Sequence, residues 1–84
     1  MKTTKDDIRR WFKEGVERNA THMIVICDTF DWSDFPCYVM SDENPREIVE
    51  KRDGKNMEKV IEVYNLSMDM GSQIGGDQSR VENY

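Results

Sequence analysis

His22, Asp28, Asp31 and Asp34 are the side chains of this chain best suited to chemistry, and they fall close together in sequence. Three carboxylates and an imidazole near one hairpin end could hold a divalent cation or work as a general acid and base. Aspartate is also a favoured turn residue, because its carboxylate bonds nearby backbone amides. Spacings of i, i+3 and i+6 around a tight turn need not converge. The glycine and terminal glutamate of a calcium loop are missing, so turn chemistry is the stronger reading. His22, just ahead of an apolar run, reads more simply as a surface or cap residue than as a ligand. Phe30, Trp32, Phe35 and Tyr38 crowd the same stretch. Such rings usually close over the end of a core, whereas a Trp32 left exposed at the tip would be an anchor for a partner.

Other patterns carry less. Gly54-Lys55-Asn56 offers amides and an ammonium to a phosphate but lacks the P-loop frame, so it reads as a turn. Cys27 and Cys37 are not a CxxC pair, and one histidine completes no zinc set with them. They read as buried reduced thiols. No strained elbow or Cys–His arrangement places a nucleophile. No catalytic residue, metal or cofactor is assigned.

The elements that must position these groups are legible. Residues 4–18 form an amphipathic helix with Thr4 as N-cap, Asp6 and Asp7 in its first turn, and Ile8, Trp11, Phe12, Gly15 and Val16 on one face. Trp11 is expected in the core. Met23-Ile-Val-Ile-Cys27 is short, β-branched and continuously apolar, as in a strand covered on both faces or central in a sheet. Asp31-Trp32-Ser33-Asp34 supplies the turn, and Cys37–Met40 a second strand with Pro36 at its start, giving a hairpin over 22–40. Asn44-Pro45-Arg46-Glu47 opens a second helix as cap, first residue and capping-box partner, and Asp53-Gly54 ends it. Residues 57–66 fit either period: Met57, Val60, Ile61 and Tyr64 mark a helix face, while Ile61 and Val63 alternate as in a strand. Their β-branched content favours the strand. From Gly71 the chain is polar and glycine-bearing, and a tail over 71–84 is expected to be mobile or ordered only against a partner.

Composition sets the frame. The chain has 84 residues, with 12 Lys+Arg against 17 Asp+Glu and a formal net charge of −5. So acidic a chain is a poor nucleic-acid binder, since that binding relies on Lys and Arg neutralising phosphates. No apolar run is long enough for a membrane span, and the charged N-terminus lacks a signal-peptide core, so a cytoplasmic location is expected. One small core is near its lower size limit, which makes homodimerisation a natural remedy.

Residues 11–16 (WFKEGV), 20–31 (ATHMIVICDTFD), 35–39 (FPCYV) and 54–66 (GKNMEKVIEVYNL) resemble a group of short uncharacterised proteins encoded by tailed phages and bacterial genomes. The resemblance covers about residues 8–70, and the tail departs from it. It implies a phage or prophage accessory gene. Small acidic proteins in that setting often act as host-directed inhibitors, or as binders of a defence enzyme or its nucleotide signal.

The sequence thus predicts one α+β domain over residues 1–70, ordered helix, β-hairpin, short helix and third strand, with the helices on one face of a small antiparallel sheet. The runner-up is αββα. The expected function is non-enzymatic binding of a host protein or a small, possibly nucleotide, ligand through Asp28, Asp31, Trp32, Asp34, Tyr38 and His22. The alternative is a small metal-dependent or acid/base enzyme using His22, Asp28 and Asp31.

Overall fold

The computed structural model describes residues 3–75 and 81–84. Helix α1 spans Lys5–Glu17, strand β1 His22–Asp28, strand β2 Ser33–Val39, helix α2 Pro45–Arg52, strand β3 Glu58–Asn65 and helix α3 Met70–Ile74. The strands form an antiparallel sheet in the order β2-β1-β3. The fold is α+β, as expected, and the segment that suited either period is a strand.

Thr4 starts α1 with a reciprocal capping box: its Oγ1 accepts from the Asp7 amide, and its own amide donates to Asp7 Oδ2 at 3.0 Å. The helix packs close to the sheet at Gly15. A Cβ added there would lie 2.7 Å from Leu66 Cδ1 and 2.9 Å from Tyr38 Cε1. The Tyr38 ring cannot easily yield, because its hydroxyl donates to the Trp11 carbonyl at 2.9 Å and lies 3.3 Å from Glu14 Oε2. Gly15→Ala is therefore expected to lower stability by about 1–3 kcal/mol through overpacking, despite alanine's better helix propensity. Urea unfolding midpoints of the two proteins check this.

β1 is buried from Met23 through Cys27, and alternation sends its side chains to two separate cores. Met23 and Val25 pack with Phe12, Tyr64, Ile74 and Val81 on the α1 side. Ile24 and Ile26 pack with Val39, Val60 and Val63 on the other side, where Ile48 and Val49 of α2 close over them. The expectation that all helices share one face is thus corrected. An apolar run with no polar alternation needs cover on both sides, and α1 with α3 supplies one cover and α2 the other. Trp11 is half-buried at the margin of its core rather than within it. Asn44 caps α2 by accepting from the Arg46 amide at 2.9 Å, without the expected return bond from Glu47 among the described residues.

β3 owes its double periodicity to a bulge. Val25 pairs with Glu62 but Ile26 pairs with Val60, so Ile61 is the extra residue. The shift puts Val60 and Val63 in one core and Ile61 and Tyr64 at the other. Spacings of three are the mark of a helix face, and here a bulged strand produces them.

In the segment expected as a tail over 71–84, residues 71–75 and 81–84 lie against the domain, and residues 76–80 lie outside those described. Ile74 and Val81 are 5% and 3% exposed in the α1-side core. Residues 81–83 run parallel beside β3: the Val63 amide donates to the Val81 carbonyl at 2.8 Å, and the Asn83 amide to the Val63 carbonyl at 3.0 Å. Gln73, itself buried, holds the junction. Its Oε1 accepts from the Asn65 amide and from Asn83 Nδ2, both at 2.9 Å, and its Nε2 donates to the Asn65 carbonyl at 2.9 Å. One side-chain amide thus pairs both backbone groups of Asn65, as a neighbouring strand would.

Candidate functional site

Two tight turns meet at one end of the sheet. In the first, joining β1 to β2, the Phe30 amide donates to Asp28 Oδ1 at 2.9 Å and the Trp32 amide to the Asp28 carbonyl at 2.7 Å. Asp31 Oδ1 accepts from the Ser33 hydroxyl at 2.7 Å and from its amide at 3.0 Å. These bonds from Ser33 hold the Asp31 carboxyl below its usual range. Asp28 and Asp31 therefore do turn chemistry. Among the described residues, no group of three His, Cys, Asp or Glu side chains is arranged to hold a metal ion.

The second turn leads into β3. The Glu58 amide donates to the Lys55 carbonyl at 2.9 Å across Asn56 and Met57, whose φ values are 53° and 60°. Two positive φ angles at the central positions mark a type I′ turn, for which Asn-Gly is the favoured pair. The Thr29 amide donates to the Met57 carbonyl at 2.7 Å and ties the two turns together.

At this end three large apolar side chains face solvent: Phe30, Trp32 and Met57 are 77%, 69% and 63% exposed. The reading in which the hairpin aromatics cap the core holds for Phe35 and Tyr38, which pack on opposite faces of the sheet, and fails for Phe30 and Trp32. Trp32 also has a φ of 60°. A left-handed backbone costs a residue with a Cβ about 1–2 kcal/mol relative to its right-handed form, a penalty that glycine escapes. At both turns a bulky apolar side chain thus stands where glycine would be cheapest, and neither side chain is buried in return.

Of the residues expected to form a site, Asp28, Asp31, Trp32 and Asp34 do gather at this end. Tyr38 does not; it lies toward the far end of β2 against α1. His22 opens β1 while Asp28 closes it, about 20 Å apart for a strand of this length. His22, Asp28 and Asp31 therefore do not share a site. Met57 is missing from the sequence-derived set, as is Phe30 as an exposed group. Only Asn56, a residue tolerant of positive φ, hints at the turn that displays Met57.

At the opposite end a cleft of about 390 Å³ lies between residues 16–22 and 65–67, lined by Val16, Thr21, His22, Asn65 and Leu66 among others. There His22 Nδ1 is 2.9 Å from Thr21 Oγ1, whose hydroxyl donates to the Val39 carbonyl at 3.2 Å. Nε2 is buried and has no hydrogen-bond partner among the described residues. Burial pushes the His22 pKa below its usual 6.5. Between that lowered value and 6.5 the unfolded chain binds more protons than the folded one. Stability is therefore full above pH 6.5 and falls as the pH drops through 6.5 toward the folded-state pKa. Urea midpoints at pH 7.5 and 5.5 should differ for the wild type, and His22→Gln should flatten that difference.

The outer edge of β3 is occupied. Outward amides of β3 are taken by Asp53 Oδ1 at Val60, the Val81 carbonyl at Val63 and Gln73 Oε1 at Asn65. On the other edge Pro36 interrupts β2 and removes a donor. Fold and site together define a small α+β domain with an apolar tip exposed at one end of its sheet. No protein-family model, no curated protein and no solved structure matches the chain. Among the described residues no helix is long and apolar enough to cross a membrane.

Proposed function

We propose that this chain is a non-enzymatic binding protein that captures a host protein through the tip formed by Phe30, Trp32 and Met57. The observation that carries the reading is the pairing of exposure with left-handed backbone at Trp32 and Met57. Large apolar side chains displayed against backbone preference, without burial, are accounted for by a partner that buries them. The tip projects rather than encloses, which favours a macromolecule supplying the cleft over a small ligand. Trp and Met are among the residues enriched where protein interfaces concentrate their binding energy or contact. The likeness to short phage and bacterial proteins supports a host protein as that partner and an accessory role for the gene.

Phe30→Ser tests this with little structural risk, because the side chain is exposed and its φ is not left-handed. Stability should stay within about 0.5 kcal/mol of wild type. Tagged wild-type protein expressed in a bacterial host should retain a stoichiometric partner that the variant loses. A partner held equally by both proteins overturns the reading.

A further inference from the structure

We propose that the surface received by the tip is a protein cleft with an apolar floor and a Lys/Arg rim on the side that meets the β1–β2 turn. The inference rests on the binding function proposed above and specifies the partner's chemistry. Asp28, Asp31 and Asp34 alternate with Phe30 and Trp32 along the β1–β2 connection, so the aromatic part of the tip is displayed from an acidic segment. The ion pairs among the described residues are Arg9–Asp6, Arg10–Asp7 and Arg52–Glu58, none of which involves these three acids. Arg52, which precedes the turn into β3, is held by Glu58 in two hydrogen bonds, at 2.7 and 3.2 Å. It is thus not free to neutralise the hairpin. Lys55 and Lys59 lie on the Met57 side, which makes the tip acidic around the aromatics and basic around the methionine. A carboxylate rim beside exposed rings is complementary to cations flanking an apolar cleft.

The same charges disfavour the other occupants. A second copy carries the same net charge of −5, which opposes its approach. Anionic lipid and nucleic acid both present phosphates to the acidic rim.

The test uses a random-peptide display library as probe, panned on the full chain and counter-selected on Trp32→Gly. Asp28→Asn/Asp31→Asn serves as the charge variant, because an asparagine oxygen can still accept the turn bonds from Phe30 and Ser33. Enriched peptides should carry apolar anchors flanked by Lys or Arg. The charge variant should bind them on the order of tenfold more weakly at low salt, with the gap closing at about 0.5 M salt. Trp32-dependent peptides lacking basic residues and indifferent to the charge variant would overturn the basic rim while leaving the binding function standing. Enrichment that ignores Trp32 would overturn both. Concentration-dependent dimerisation abolished by Trp32→Gly would make the occupant a second copy, against the proposal.

Discussion

Gln73→Leu is expected to lower the stability of the fold by about 3–5 kcal/mol, a large share of the roughly 5–10 kcal/mol that holds a small domain together. The residues are similar in size, so the loss is one of polar pairing rather than volume. Leucine leaves the part-buried amide and carbonyl of Asn65 without the partners that Gln73 Oε1 and Nε2 provide. It also frees Asn83 Nδ2 and removes further donations from Nε2 to the Met68 and Asp69 carbonyls at 3.4 and 3.2 Å. An unpaired buried polar group costs about 1–3 kcal/mol, and several are created together. Gln73→Glu should fare no better, since its carboxylate would face three carbonyl oxygens in place of the donor. Urea unfolding reads both variants. A Gln73→Leu midpoint near wild type would mean that residues 70–75 and 81–84 contribute little to the core.

The second large effect concerns the tip, where binding and stability are expected to move in opposite directions. Trp32→Gly relieves a left-handed backbone at a side chain that is 69% exposed and removes little buried contact area. Stability should be equal to wild type or higher by about 1 kcal/mol, less what glycine loses through its freer unfolded state. Trp32→Ala keeps the strained φ and should show no such relief, so comparing the two isolates the backbone contribution. Met57→Gly follows the same logic at the type I′ turn. Partner binding should fall about 30-fold or more in either tryptophan variant, as for an anchor worth about 2 kcal/mol. Residues kept for folding rarely behave in this way. Residues kept for recognition often do.

Much of this arrangement is legible in the sequence because its signals are local. The β-branched run at Met23–Cys27, the Asn-Pro opening of α2 and the aspartates of the hairpin each act within a few residues of themselves. β3 is harder, since the bulge at Ile61 writes a helical spacing onto a strand. The C-terminal segment is harder again. Ile74 and Val81 are isolated apolar residues in a polar stretch, and Gln73 stands in for a strand partner through its side chain, which no periodicity records. At the tip, Asp28, Asp31, Trp32 and Asp34 are legible as turn residues beside an aromatic. Met57 is not, because the left-handed conformation of a non-glycine residue leaves no mark on composition. Tyr38 is misplaced for a simpler reason: being near Trp32 in sequence does not keep it near the hairpin end once β2 extends away toward α1.

Under the proposed function, the tip is maintained for a partner and against the preferences of its own backbone. Trp32→Gly, measured for urea stability and for capture of the host partner in the same preparation, tests it most directly. A midpoint no lower than wild type together with loss of the partner is the expected result. A variant that unfolds more readily and still holds its partner would contradict it, and would make Trp32 a structural residue.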